Sequence, residues 1–191
     1  MNWPNILTVS RVFLTFLFIY LIVQDSFAAL IMAIGVFTLA SLTDFWDGYL
    51  AKKYLIVSDF GKIMDPIADK VLMLSAFGIF AYIGIIPWWM FIAIALREVV
   101  VTGSRLVAVG KGTVLAAERA GKIKTVVQIV TIFIILFFLV AQRVLPVGEP
   151  FYHVKKTWLS VIDLLMVITV FLTIGSGARY FQGIWKKSNT L

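Results

Sequence analysis

Four aspartates in one short stretch of the chain are the residues best suited to chemistry. Within the segment DFWDGYLAKKYLIVSDFGKIMDPIADK they are Asp44, Asp47, Asp65 and Asp69. The first pair is three residues apart and the second pair four, so on helices the members of each pair lie on one face. This concentration of carboxylates predicts a polar site within an otherwise mostly apolar chain.

The type of these side chains favours divalent metal ions. Clustered carboxylates repel one another, and a hard cation relieves the repulsion by taking their oxygens as ligands. An oxygen-only ligand set favours Mg²⁺ or Mn²⁺, and bridging carboxylates hold two ions in many phosphoryl-transfer sites. We therefore expect two such ions, with phosphate oxygens completing their coordination. Gly48 and Gly61 would let a substrate approach the backbone closely, and Lys52 would contact a phosphate.

The composition predicts an integral membrane protein. Hydrophobic residues make up 61% of the 191 residues, charged residues only 14%, and the mean hydropathy is +0.99. Soluble domains carry more charge than this. The length allows about six spans of roughly 20 residues and no further domain of typical size, so residues 1–191 are expected to form a single membrane domain. Cysteine is absent, which excludes disulfides and thiolate metal sites.

The apolar runs predict an all-α, polytopic protein with six transmembrane helices. A short interfacial segment is expected at 1–8, followed by spans at about 9–23 and 27–42. The third helix is expected to start at Asp65 and Pro66, with Asp65 as its N-cap, and to reach about residue 85. The last three spans are expected at about 88–110, 125–140 and 158–174, with a basic connection at 111–124 and a loop at 143–156.

The distribution of basic residues predicts the orientation. Most lysines and arginines fall on the side of the four aspartates, and the opposite side carries only Arg143, Lys155 and Lys156, with Arg97 ambiguous. The positive-inside rule then makes the aspartate side cytosolic, with both termini inside. Because the basic residues flank apolar runs, the net charge of +7 suits membrane lipid headgroups and predicts no nucleic-acid partner.

The spacing around the aspartates resembles the signature of the CDP-alcohol phosphotransferases. In that family Asp, two residues, Asp-Gly, two residues and Ala-Arg are followed after eight residues by Gly, then by Asp and Asp at four-residue steps. The matching positions here are Asp44, Asp47, Gly48, Ala51, Lys52, Gly61, Asp65 and Asp69. The one departure is Lys52, because the family usually has Arg there, and lysine keeps the charge but loses the bidentate fork.

Segments outside the signature are similar to the bacterial phosphatidylglycerophosphate synthases. They are residues 5–8 with Arg11, REVVVTGSR at 97–105 and GKIKTVVQ at 121–128. The resemblance implies a multi-pass enzyme of the bacterial cell membrane, facing the cytosol. It would transfer a phosphatidyl group from CDP-diacylglycerol to glycerol 3-phosphate and release CMP. The four aspartates would bind the metal, and Asp69 would also act as general base.

The resemblance and the charge pattern also predict two binding sites. The nucleotide-binding positions implied are Asn5, Thr8, Asp47, Gly48, Ala51, Lys52, Ser58 and Gly61. Glycerol 3-phosphate is a dianion, so basic residues on the cytosolic side are expected to bind its phosphate. The candidates are Arg105, Arg119, Lys122, Lys124 and Arg179.

Several alternatives stay open at the level of the sequence. Other members of the family make phosphatidylserine, phosphatidylinositol phosphate or cardiolipin, and the signature is common to them. A cation-coupled secondary transporter would also place carboxylates in a membrane. Arg97 and Glu98, near the middle of the fourth span, are candidates for catalysis or for an internal ion pair. His153 is expected to be solvated, and a homodimer is an open alternative for the oligomeric state.

Overall fold

Six α-helices form the part of the chain that the computed structural model describes. The backbone is described at residues 3–54, 59–110, 119–145 and 149–188, and within these ranges side chains are described at 9–43, 67–68, 70–104, 107, 121–145 and 152–182. The helices are α1 (Trp3–Gln24), α2 (Phe27–Tyr54), α3 (Asp59–Tyr82), α4 (Trp88–Gly110), α5 (Arg119–Val144) and α6 (Glu149–Ser188). The predicted all-α fold is confirmed over these residues.

A two-residue turn joins α1 to α2. Asp25 adopts a left-handed backbone with φ of 48°, which aspartate tolerates better than most residues, and its amide donates to the carbonyl of Ile22 at 3.2 Å. The hydroxyl of Ser26 accepts a hydrogen bond from the amide of Ala29 at 3.2 Å. Ser26 is therefore the N-cap of α2, and the short turn makes α1 and α2 antiparallel neighbours.

A glycine turn ends α3 and leads into α4. Gly84 has φ of 77°, a conformation that costs glycine little, and the amide of Ile85 donates back to the carbonyl of Phe80 at 2.9 Å. Pro87 follows, and its carbonyl accepts from the amide of Met90 at 3.1 Å in the first turn of α4. The predicted bounds of the fourth helix, 88–110, are confirmed.

The helices pack in a bundle in which α1 contacts both α2 and α3. The helix α3 also contacts α4 and α5, α6 contacts α4 and α5, and α2 contacts α5. Apolar side chains fill the centre, including Phe18, Phe37, Phe77 and Ile132, none of which is exposed. The helix α1 therefore holds together the two helices that carry the four aspartates.

Other helices differ in length from the prediction. The helix α2 continues to Tyr54, α3 begins at Asp59 rather than at Asp65, and α5 begins at Arg119 within the predicted connection. The expected loop at 143–156 is wrong for most of its length, because α6 begins at Glu149. The predictions ended helices where charges, proline or glycine appear. Charged residues are good helix formers, and neighbouring helices tolerate proline inside membrane helices.

The described surface suits a membrane. Large apolar side chains are exposed along the helices, with Phe13 at 71% and Phe171 at 76% exposed, far more than a soluble monomer presents. Among the described residues, the stretches Gly121–Val144 and Tyr152–Gln182 are long and apolar enough to cross a bilayer. Shorter apolar helical stretches cover Val9–Gln24, Phe27–Thr43 and Lys70–Tyr82.

Candidate active site

The four aspartates lie on two helices that share a neighbour. Asp44 and Asp47 belong to α2, and Asp65 and Asp69 belong to α3. Because both segments are helical, the members of each pair lie on one helix face, as the spacing predicted. Both helices pack against α1. The side chains of the four aspartates fall outside the described residues, so their proposed metal and base roles stay predictions.

The donor chemistry of these aspartates fits a hard divalent cation. Carboxylate oxygens suit Mg²⁺ and Mn²⁺, and two pairs on two helices offer enough oxygens for one or two ions. Among the residues whose side chains are described, no group of three or more His, Asp or Glu residues offers a second such site. The four aspartates are therefore the candidate metal site, and this assignment stays a prediction.

The predicted nucleotide-binding residues lie on the same three helices. Asn5 and Thr8 belong to α1, while Asp47, Gly48, Ala51 and Lys52 belong to α2 and Gly61 belongs to α3. Ser58 lies outside the described residues. Each of these three helices carries at least one predicted nucleotide position. Because α2 and α3 both pack against α1, this arrangement is compatible with a common site. Their side-chain contacts are outside the described part of the chain.

The predicted acceptor residues are distributed over α4, α5 and α6. Arg105 lies on α4, Arg119, Lys122 and Lys124 on α5, and Arg179 on α6. Lys122 and Arg179 are exposed, which leaves both side chains accessible to a soluble anion. The side chains of Arg105 and Arg119 are outside the described set. The helix α6 contacts both α4 and α5.

Lys124 differs from the other acceptor candidates, because its side chain is buried and only 3% exposed. Its ammonium group donates to Oε1 of Glu98 on α4. Direct binding of the acceptor phosphate by Lys124 stays a prediction, and it would require this ion pair to open.

Glu98 is the centre of a buried polar cluster. Its side chain is 2% exposed, and besides Lys124 it faces Nζ of Lys70 on α3 at 3.5 Å and Nη1 of Arg97 at 3.2 Å. Three cationic side chains from three helices thus converge on one carboxylate. A carboxylate removed from water needs such partners, because an unpaired buried charge is strongly destabilising.

Arg97 extends this cluster to α6. Its Nη2 donates to the hydroxyl of Ser176 at 2.9 Å. The next residue, Gly177, leaves room for the arginine, since a Cβ added there would lie 3.1 Å from Cγ and 3.2 Å from Nε of Arg97. Nearby, the hydroxyls of Ser104 and Tyr180 are 3.4 Å apart. The cluster therefore connects α3, α4, α5 and α6.

The sequence indicated part of this cluster and missed the rest. An internal pair between Arg97 and Glu98 was one of two open interpretations, and the structure shows this contact. The contacts of Glu98 with Lys70 and Lys124 were not predicted. A usable signal was present, because a carboxylate near mid-span costs roughly 2.5–3.5 kcal/mol on insertion scales and must find partners on other helices.

A groove runs between α3 and α4 beside the Glu98 cluster. Its volume is about 280 Å³, and its lining is mostly apolar. The lining residues are Ile67, Lys70, Val71, Leu74, Glu98, Val99, Thr102 and Gly103. One of the lining residues is Lys70, which directly follows Asp69 in α3.

Comparison with known proteins identifies the class to which this arrangement belongs. The model of the CDP-alcohol phosphatidyltransferase family matches residues 1–175. The chain belongs to this family, and it is a transferase of phospholipid biosynthesis with the helical build of a membrane protein. The family depends on divalent metal ions.

Several relatives of this chain carry the names of individual enzymes. A protein of Bacillus subtilis (strain 168) named CDP-diacylglycerol–glycerol-3-phosphate 3-phosphatidyltransferase is 35% identical, over 99% of this chain and 98% of its own length. A probable phosphatidylglycerophosphate synthase of Mycobacterium tuberculosis (strain H37Rv) is 34% identical over 96% of this chain and 85% of its own. A Cereibacter sphaeroides protein with the same name as the Bacillus relative is 40% identical over 71% of this chain and 64% of its own.

Proposed function

We propose that this protein transfers the phosphatidyl group of CDP-diacylglycerol to glycerol 3-phosphate, forming phosphatidylglycerophosphate and CMP. The observation that carries the proposal is the match to the Bacillus relative, whose name states this reaction, over nearly the full length of both chains. Family membership makes the chain an enzyme, and no described feature favours the transporter alternative.

In the proposed reaction a hydroxyl oxygen of glycerol 3-phosphate attacks the β-phosphorus of the liponucleotide. A new P–O bond forms, the P–O bond to the CMP oxygen breaks, and CMP leaves with that electron pair. Asp69 accepts the proton of the attacking hydroxyl, a contribution that is typically about 10²–10⁴-fold for a positioned base. Asp44, Asp47, Asp65 and Asp69 would hold Mg²⁺ or Mn²⁺, which supplies Lewis-acid stabilisation of the negative charge that develops on the phosphates.

The exposed basic residues support the choice of acceptor. Lys122 on α5 and Arg179 on α6 are exposed, and they belong to helices that pack against each other. A phosphate monoester dianion gains from such charge-assisted contacts, whereas a neutral or zwitterionic acceptor such as serine gains less. Together with Arg105 and Arg119, these residues form the proposed acceptor-phosphate site.

The remaining parts of the proposal concern the membrane. All six helices cross the bilayer, both termini lie in the cytosol, and the aspartates face the cytosolic side. The excess of lysine and arginine on that side supports this orientation. A soluble acceptor and a lipid-borne nucleotide would then both reach the site, and a homodimer is compatible with it.

The test is CMP release by the purified protein in detergent or nanodiscs. With CDP-diacylglycerol and Mg²⁺ or Mn²⁺, glycerol 3-phosphate is expected to release CMP far faster than serine, inositol phosphate or phosphatidylglycerol. Chelation with EDTA should abolish release, and added Mg²⁺ or Mn²⁺ should restore it. Faster release with another acceptor would overturn the proposed substrate while leaving the family chemistry intact.

A further inference from the structure

We propose that Glu98 is a positioning residue that sets the geometry of the acceptor-phosphate site. Its carboxylate anchors α5 through Lys124 and α6 through Arg97 and Ser176. This inference rests on the proposed function, since it concerns the binding of glycerol 3-phosphate. Glu98 itself touches neither substrate, and its effect passes through the two helices that carry Lys122 and Arg179.

On α5 the anchor acts close to an exposed acceptor residue. Lys122 precedes Lys124 by two positions, which is about 3 Å along the helix axis and about 200° around it. The two lysines therefore leave opposite faces of α5, as their burial shows: Lys124 is buried and Lys122 is exposed. Fixing the Lys124 ammonium on Glu98 thus fixes both the rotation and the height of the helix turn from which Lys122 projects.

On α6 the anchor acts one turn from the other exposed acceptor residue. Ser176 is buried and accepts from Arg97, and Arg179 lies three positions further on, so the two side chains are neighbours along the helix. The close fit of Gly177 against Arg97 limits how far the helix and the arginine can shift. One carboxylate on α4 therefore sets the positions of two cations on two other helices.

The cluster also argues for an indirect role of Lys124. Its ammonium is bonded to Glu98 and its side chain is 3% exposed, so a phosphate would have to displace a carboxylate to reach it. The exposed cations Lys122 and Arg179 need no such exchange. Lys124 then orients α5, while Lys122 and Arg179 contact the acceptor.

Glu98→Gln tests the inference, because it keeps the shape of the side chain and removes its charge. The KM for glycerol 3-phosphate is expected to rise about tenfold, equivalent to about 1.4 kcal/mol of binding free energy. The KM for CDP-diacylglycerol should rise less, by no more than about threefold, because the predicted nucleotide residues lie on α1, α2 and α3, of which Glu98 contacts α3 through the 3.5 Å pair with Lys70. Glu98→Asp should recover part of the loss. Equal rises in both KM values would overturn the inference.

A double-mutant cycle separates positioning from direct binding by Lys124. If Glu98 acts through Lys124, Lys124→Met and Glu98→Gln should raise the acceptor KM to similar extents, and the double variant should be little worse than either. If Lys124 binds the phosphate itself, freeing it with Glu98→Gln should lower the acceptor KM, and Lys124→Met should raise it far more. That second pattern would refute the inference.

Two further variants guard against a folding artefact. Ser176→Ala removes only the link to α6 and should raise the acceptor KM by about threefold, a fraction of the effect of removing the central charge. Thr131→Val removes the 3.1 Å hydrogen bond between Thr131 on α5 and Thr169 on α6, some two turns from Lys124. This control should lower thermal stability and leave the ratio of the two KM values unchanged.

Measurements on the unaltered protein separate a failure of this inference from a failure of the proposed function. If it releases CMP with glycerol 3-phosphate but the Glu98 variants keep a normal acceptor KM, the inference fails and the function stands. If the unaltered protein prefers another acceptor, the proposed function fails first.

Discussion

Two groups of charged residues, in different parts of the bundle, show what burial does to an ion pair. In the cluster around Glu98, the carboxylate and the Lys124 ammonium are 2% and 3% exposed and receive further partners from other helices. Arg143 at the end of α5 contacts Asp25 in the α1–α2 turn, and these two side chains are 43% and 56% exposed. Both contacts join separate parts of the bundle, but only the first is shielded from water.

Similar contacts therefore contribute differently to the free energy of folding. Removing one partner of a buried pair leaves an uncompensated charge and typically costs about 3–5 kcal/mol. An exposed pair contributes about 0–1 kcal/mol, because water already solvates both groups. The cavity beside the exposed pair, about 300 Å³ in volume, is lined by apolar residues of four helices together with Asp25, Gln142 and Arg143. The four aspartates differ from both ion pairs, because we propose that their charge serves to bind metal ions.

The largest expected effect is a loss of activity on substitution in the aspartate stretch, compared with the same substitution in the α1–α2 turn. Asp69→Asn should lower the rate of CMP release by about 10²–10⁴-fold, because it removes the proposed base and a metal ligand. The matched control is Asp25→Asn, the same chemical change at the exposed pair, which should leave the rate within about twofold. If Asp69→Asn retains most of the activity, the proposed base is wrong.

The second-largest effect is expected from a substitution that crowds Arg97, and it should lower mainly the stability of the protein. Gly177→Ala places a methyl group 3.1 Å from Cγ of an arginine that is held by Glu98 and Ser176, so it should cost about 1–3 kcal/mol. The control is Gly175→Ala on the same helix, where an added Cβ meets nothing within 4 Å. Thermal unfolding in detergent measures both. A Gly177→Ala protein as stable as the Gly175→Ala protein would show that Arg97 moves freely.

An effect of similar size, but selective for one substrate, is expected from an exposed cation of the acceptor site. Lys122→Ala should raise the KM for glycerol 3-phosphate by about ten- to a hundredfold, the equivalent of about 1.5–3 kcal/mol for a charge-assisted hydrogen bond. The KM for the liponucleotide should change little. Lys156→Ala, an exposed lysine of α6 on the predicted opposite side, serves as control and should alter neither constant. An unchanged acceptor KM would remove Lys122 from the site.

The smallest effect is expected at the exposed pair. Arg143→Ala should lower the free energy of unfolding by no more than about 1 kcal/mol, and added salt should reduce that difference further. Denaturation at low and at high ionic strength measures it, with CMP release expected to be unchanged. A loss of free energy of unfolding as large as that expected for a buried pair would contradict the difference drawn between the Glu98 cluster and the Arg143–Asp25 pair.

Much of the architecture follows from local patterns in the sequence. The predicted bounds of the fourth helix agree with the observed ones because its start has clear local signals. Gly84 and Pro87 form the preceding turn, and Trp88 is typical of a membrane interface. The placement of the four aspartates on two helices also followed from their spacing. The predicted start of α3 is too late, because Asp65 and Pro66 are typical of a helix start whereas the helix begins at Asp59.

The contacts of the Glu98 cluster lay beyond what the sequence could supply. Glu98 and Lys124 are 26 residues apart and Arg97 and Ser176 are 79 apart, so their meeting depends on how four helices pack. Local periodicity does not specify which face of one helix meets which face of another. The family signature indicated the class of enzyme, whereas the connection between α4, α5 and α6 needed the three-dimensional structure.

The length of α6 has a consequence for the membrane itself. Its 40 residues make a helix about 60 Å long, roughly twice the thickness of the bilayer hydrocarbon. Its apolar stretch, Tyr152–Gln182, has 31 residues and exceeds the roughly 20 that a span needs, so the helix could tilt as the bilayer thickens or thins and still keep apolar residues within it. In the proposed six-span arrangement, a shift in the tilt of α6 would therefore accommodate a change in the thickness of the membrane.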